Sequence, residues 1–254
     1  MAYNKVFLAG TVMSEPEFTM DGERGDTLHI KIHINRNDIG KSEVVTVAIF
    51  NDELMSKALD EIKEGDYIMI TNAKIVTTNY NKVSPVVCPI CQNVEYKQTK
   101  AEKTEVEVFS YQLMKNIKKE EAIGINKVYL LGDVCSQLNY RPGANNGKDY
   151  VKYKLAVNRP NNKPKSEKNA DYPFVVSFNN EATTAHEHLK LSSRVFVDGA
   201  IQERDIVQKV PFDCSACHNK EVSKVKSVVR EVITAKVEYL NVKKEEKSEK
   251  ESEE

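Results

Sequence analysis

The chain repeats itself, and that constrains its fold more than any other feature. Asn4-Lys5-Val6-Phe7-Leu8-Ala9-Gly10-Thr11-Val12 returns as Asn126-Lys127-Val128-Tyr129-Leu130-Leu131-Gly132-Asp133-Val134, displaced by 122 residues. Seven of these nine positions are identical or exchange one aromatic ring for another. Leu28 to Arg36 answers Val151 to Arg159 at a displacement of 123, while Cys88, Cys91 and Glu105-Val106 answer Cys214, Cys217 and Glu231-Val232 at 126. An offset that grows slowly marks small loop insertions within two copies of one domain, so the fold is one unit used twice.

Each copy reads as short strands. LHIKIHINR and VKYKLAV alternate apolar and polar residues, the period-two signal of a half-buried strand, and VVTVAIF and PFVVSFN are β-branched and aromatic runs. One helix is expected per copy, with Leu54, Ala58, Leu59 and Ile62 on its apolar face in the first and Ala182, Ala185 and Leu189 in the second. The order is three strands, a helix, a strand, a long hairpin and a strand. That is the order of an OB-fold barrel, so the expected class is mainly all-β: two tandem five-stranded OB-fold barrels, each with one short helix and a long hairpin arm. The expected divisions are a first barrel over 1–113, a linker (charged, or a short helix) over 114–125, a second barrel over 126–240 and a tail over 241–254. The tail after Leu240 holds four Lys and six Glu and almost nothing apolar, which predicts disorder.

Hydrophobic residues make up 40% of the 254 and charged residues 30%, a balance that fits a globular chain and excludes collagen-like and wholly disordered classes. The apolar runs are a few residues long, far short of a membrane-spanning helix. The opening MAYNKVFLAG lacks the pattern of a signal peptide, so the expected location is the cytoplasm. Net charge is -1, and bulk charge therefore makes no case for a nucleic-acid partner. Any such case has to rest on local residues.

Four of the five cysteines fall in two C-x-x-C pairs, Cys88/Cys91 and Cys214/Cys217, at equivalent points of the two hairpins. Structural zinc takes four ligands and each pair supplies two, so the expectation is that the hairpins meet and that the four thiolates hold one Zn per chain. Redox-active pairs, two disulfides and a site shared between chains remain competing readings. His218 is a spare ligand. His186 and His188, two apart on a helix, point to different faces, His29 and His33 are ordinary strand residues, and Cys135 is expected to be a buried thiol.

NKVFLAG followed by Glu15-Pro16-Glu17, and VVTVAIFNDEL running through EGDYIMITNAKI, resemble the opening strand and the third strand, helix and fourth strand of the bacterial and phage single-stranded DNA-binding proteins. The second copy keeps the strand but has Ser136-Gln137-Leu138 in place of the acidic turn. The Cys-bearing arms depart from the family's pattern. The resemblance implies that Phe50, Phe178 and Tyr172 stack on bases or line the groove and that Tyr80 takes the aromatic position early in the long hairpin. Ile206 and Val44 stand where the other copy has Tyr80 and Tyr172. Arg36, Arg159, Lys31, Lys74, Lys152 and Lys154 are the phosphate candidates, each also readable as part of a solvated strand face.

The function so implied is sequence-tolerant single-stranded DNA binding and protection in DNA replication, recombination or repair, by stacking rings and neutralised phosphates. Replication or recombination proteins are expected partners, although the tail lacks the apolar tip with which the family recruits them. Family members assemble four barrels, so a homodimer is expected, with a Zn-clamped pseudo-dimeric monomer as the alternative. The sequence shows no P-loop, G-x-S-x-G or H-E-x-x-H motif, and no enzyme is expected. The competing class is a tandem OB accessory module that binds RNA or docks a primase or helicase partner.

Overall fold

The computed structural model describes residues 3–21, 25–36, 40–115, 117, 122–145, 147–159 and 169–241. The tail from residue 242 and part of the expected linker (116 and 118–121) lie outside them. The first copy contains β1 (Tyr3–Val12), β2 (Glu17–Asp21), β3 (Gly25–Arg36), β4 (Lys41–Ile49), α1 (Asp52–Glu61), β5 (Tyr67–Val87) and β6 (Val94–Met114). The second contains β7 (Ile125–Val134), β8 (Asn139–Asn145), β9 (Lys148–Asn158), β10 (Ala170–Asp171), β11 (Phe174–Phe178), α2 (Asn179–His188), β12 (Arg194–Asp213) and β13 (Lys220–Asn241).

Both copies close. In the first, β1 pairs with β3 and β5, β3 with β4, β4 in parallel with β6, and β6 with β5. In the second, β7 pairs with β9 and β12, β9 with β11, β11 in parallel with β13, and β13 with β12. These are two five-stranded OB barrels. Beyond the expected five, β2 pairs with β3, and β8 and β10 pair with β9, because the chain folds back along the strand it enters or leaves.

The two-residue period is realised directly: along β7 every second residue is buried, and Val151, Tyr153, Leu155 and Val157 of β9 face the core. Gly10 and Gly132 stand at equivalent places where the opening strand bends onto its neighbour. A Cβ at Gly10 would lie 2.4 Å from the carbonyl oxygen of His33, and one at Gly132 would lie 2.5 Å from that of Ala156. Only glycine lets the backbones approach that closely.

Helix α1 starts where the Asn51 side chain accepts a hydrogen bond from Leu54 N–H, with Asp52 and Glu53 favourably placed in the first turn. Its buried stripe is Met55, Ala58 and Ile62, at spacings of three and four. The expected Leu59 is 41% exposed, since the stripe is centred one residue away from the expected one. Ala182, Ala185 and Leu189 of α2 are buried as expected. Cys135 is exposed, against expectation, because Val134 takes the inward place and the next residue therefore points out. Among the described residues no helix is long and apolar enough to cross a membrane.

The barrels join through antiparallel pairing of β1 with β7, and Val6 faces its own equivalent Val128. Lys5 faces Tyr129 and Phe7 faces Lys127, so an approximate twofold axis passes through the Val6/Val128 pair. Two equivalent asparagines secure the junction. Asn4 Nδ2 donates to the Ile75 carbonyl at 2.8 Å while its Oδ1 accepts from Ile75 N–H at 2.9 Å; Asn126 does the same with Ile201 at 2.8 and 2.9 Å. Each amide extends the ladder where the strand backbones part. One apolar cluster then runs through both barrels.

The paired strands β5/β6 and β12/β13 project beyond the barrels as two arms lying side by side. Lys82 Nζ of the first donates to Ser227 Oγ of the second at 3.0 Å, and Glu95 accepts from both N–H and Oγ of Ser215. Each arm also touches the other copy's barrel, as when Glu203 accepts from Thr46 N–H and Oγ1. In the opposite sense, Asp171 accepts from Thr77 N–H and Tyr172 N–H donates to Thr77 Oγ1.

Candidate nucleic-acid interface

On the second barrel, the period of β9 places Tyr150, Lys152 and Lys154 on one face, and the register sets them opposite Phe178, Val176 and Phe174 of β11. The Tyr150 and Phe178 rings lie 5.7 Å apart and are tilted. The ammonium groups of Lys152 and Lys154 sit 3.9 and 4.7 Å from the centre of the Phe174 ring. Beside them the buried Glu231 accepts from Lys152 and, at 2.9 and 3.1 Å, from the fork of Arg204. Burial, helped by Glu231, raises the pKa of the Tyr150 phenol above its ordinary value.

The first barrel repeats the frame with other side chains. Thr27, His29 and Lys31 share the face of β3, where His29 stands opposite Ala48 and Lys31 opposite Thr46. Glu105 occupies the place of Glu231, buried in the same way, and meets Lys103 at 2.8 Å and His29 at 3.4 Å. These two carboxylates lay in the repeated Glu-Val pairs, but their burial needed the closed barrel.

The expected aromatic residues are distributed unevenly. Phe50 lies two residues before α1 and Phe178 directly before α2, and both are half-buried. Tyr172 is half-buried, with its backbone held under the first arm by Thr77. Tyr80 lies on that arm, lining a cavity of about 490 Å³ with Asn79, Lys100 and Glu102, and burial raises its pKa. The four rings therefore do not form one cluster. Phe174 and Tyr150, which do join Phe178 on a face, were not singled out from sequence; the Y-x-K-x-K alternation of β9 was the available signal.

The basic candidates are largely engaged within the chain. Lys31 pairs with Glu17 at 2.6 Å, Lys74 with Glu107 at 3.3 Å and Lys154 with Glu102 at 2.9 Å. Arg159 makes a two-pronged contact with the buried Asp171 at 2.6 and 3.0 Å, an anchoring role for the edge strand β10. Arg36 lines a cavity of about 480 Å³ at the barrel junction, together with Lys41, Lys148 and Phe178.

At the arm tips the four paired cysteines come together. Cys88 Sγ lies 3.6 Å from Cys217 Sγ and Cys91 Sγ lies 3.5 Å from Cys214 Sγ, with all four sulfurs within 4.8 Å of one another. Four thiolates about 2.3 Å from a central ion in tetrahedral array lie about 3.8 Å apart, so this set fits a metal ion. Cys88 and Cys214 are buried, Cys91 and Cys217 exposed. Each hairpin turns through a left-handed residue, Gln92 or His218, whose N–H bonds back to the Cys88 or Cys214 carbonyl. Burial opposes ionisation of Cys214, but the N–H groups of Cys217 and Ala216, with help from neighbouring thiols, bring it down to about 7.

Comparison with known proteins agrees with this geometry. The family model described as the single-strand binding protein family matches residues 125–240. A single-stranded DNA-binding protein of Halalkalibacterium halodurans is 35% identical over 82 residues, which cover 32% of this chain and 47% of the relative; the chain spans about half the length of that curated relative. Two crystal structures of the single-stranded DNA binding protein from Thermus aquaticus share the fold. A deletion mutant superposes with a TM-score of 0.62 at 15% identity, covering 96% of this chain and 98% of that one; the wild type gives 0.63 at 14%, covering 94% of each. The match to the single-strand binding protein family therefore falls on the second barrel, residues 125–240.

Proposed function

We propose that the chain binds single-stranded DNA without strong sequence preference and protects it during replication, recombination or repair. The observation that carries this reading is the half-exposed face of rings and cations on the second barrel, where Tyr150, Phe174 and Phe178 alternate with Lys152 and Lys154. Every base offers a flat face to such rings, so stacking tolerates sequence, and cations beside them track phosphates. The part of the chain is binding alone, with no bond made or broken. Phe50, Tyr80 and Tyr172 would add contacts at the margins of that face. The reading places the protein with the DNA it covers, in the cytoplasm or nucleoid.

The four thiols would hold one structural zinc, clamping the two arms without an open coordination position. A second copy would associate through the outer side of the junction sheet, where Tyr3, Phe7, Tyr129 and Phe196 form a chain of ring contacts at 6.1 to 6.3 Å. Competition among oligothymidine, oligouridine and a DNA duplex for the purified chain, followed by tyrosine fluorescence, tests the reading. Preference for oligothymidine with no duplex affinity supports it; equal or tighter oligouridine binding would turn the assignment to RNA.

A further inference from the structure

Resting on the strand-binding reading, we propose that the two barrels divide the work unequally: the second barrel and the junction grip the strand, and the first barrel is chiefly their scaffold. The twofold relation makes the comparison residue by residue. Tyr150 stands opposite Arg141, whereas Thr27 stands opposite Thr19 at the same place in the first copy. Lys154 stands opposite Phe174, whereas Lys31 stands opposite Thr46. On the arms, Arg204 lies three residues beyond Ile201, and Thr78 lies three beyond the equivalent Ile75. Two rings and two arginines of the second copy are thus threonines in the first, which keeps Phe50 and, beside its buried glutamate, Lys103.

The space above these side chains differs too. A cavity of about 390 Å³ lined by Arg141, Tyr150, Phe178 and Arg204 adjoins the junction cavity of about 480 Å³, and the two share Phe178, Gln202 and Ile233. Phe178 therefore lines both parts of a trough made of the two adjoining cavities, with Arg141 and Arg204 around one and Arg36, Lys41 and Lys148 around the other. A strand laid in it would place bases on Tyr150 and Phe178 while its phosphates met cations in both parts. On the first barrel, Glu203 of the second arm, held by Arg230 at 2.7 Å, caps Thr46 through its N–H and Oγ1. That contact covers the rank which in the second barrel bears the Phe174 ring.

The test is photo-cross-linking of the full chain to an oligothymidine carrying 5-iodouracil, with the modified peptides identified by mass spectrometry. Cross-links concentrated on Tyr150, Phe174 and Phe178 are expected, and cross-links shared evenly with the first barrel would overturn the proposal. In parallel, Tyr150→Thr combined with Phe174→Thr, which installs the first barrel's residues, should weaken oligothymidine binding at least about thirtyfold, the low end for two lost stacking platforms. Phe50→Ala should cost several-fold less; an equal or larger loss would overturn the proposal. Cross-linking uses the unaltered chain, so a variant that fails to fold does not decide the matter. Failure of the unaltered chain to bind oligothymidine at all would instead remove the strand-binding reading itself.

Discussion

Removing the metal proposed for the four thiols should release the arms from each other. The thiol pair Cys91 and Cys214 is separated by 123 positions, so an ion bridging the arms closes a loop of that length. Treated as a cross-link, such a loop lowers the entropy of the unfolded chain by an amount worth about 5 kcal/mol at 25 °C. At about 2–4 °C per kcal/mol for a chain of this size, the unfolding midpoint should fall by roughly 10–20 °C on chelation. The arms are tied by other contacts, including Lys82 to Ser227 and Glu95 to Ser215, so part of the loss should appear as local opening at the tips rather than global unfolding. The assay is thermal unfolding with and without a strong chelator, with released zinc followed by a chromophoric indicator and arm protection by amide exchange. Cys214→Ser should give the same fall without chelator. An unchanged midpoint and unchanged exchange at residues 83–98 and 209–224, with no metal released, would refute the clamp.

Asn126→Asp is nearly isosteric but turns the donor that serves the Ile201 carbonyl and Glu43 into an acceptor, and should cost about 3–5 kcal/mol in denaturant unfolding. Asn4→Asp, whose amide among the described residues donates to the Ile75 carbonyl and to no carboxylate, should cost less. Gly10→Ala and Gly132→Ala should each destabilise by about 1–3 kcal/mol, since the added methyl meets a strand carbonyl. Tyr129→Glu on the outer face of the junction should leave a single chain in sedimentation if copies associate there. The Thr183 hydroxyl, the Gly143 N–H and the Tyr140 hydroxyl hold the Asp149 carboxyl below its ordinary range. Stability from that group is therefore full above the ordinary carboxylate range and is lost as pH falls through the lowered value. Asp149→Asn should flatten that acid limb of a stability-against-pH curve.

The repeat and the period-two pattern made the barrels legible, because strand alternation and the order of elements are local properties of the chain. Bringing the four cysteines together also followed from their equivalent positions in two copies. What stayed hidden depended on register. Tyr150 and Phe174 are ordinary strand residues until the pairing of β9 with β11 sets them beside Phe178 and Lys154. The ion pairs of Lys154 with Glu102 and Arg204 with Glu231 join distant segments and have no signature along the chain. Leu59 was misplaced because a ten-residue helix offers two overlapping apolar stripes, and the barrel surface chooses the one through Met55. Cys135 was misjudged because a thiol beside an apolar strand resembles a core residue until the pleat assigns its side.

Binding of a labelled oligothymidine followed by fluorescence anisotropy over a series of salt concentrations tests the account most directly. It predicts saturable binding whose logarithmic slope against salt is near -3, at about 0.7 per phosphate for four or five engaged cations. A duplex of equal length should stay unbound at the concentrations that saturate the single strand. Duplex binding as tight as single-strand binding, or no binding of the oligothymidine, would contradict it.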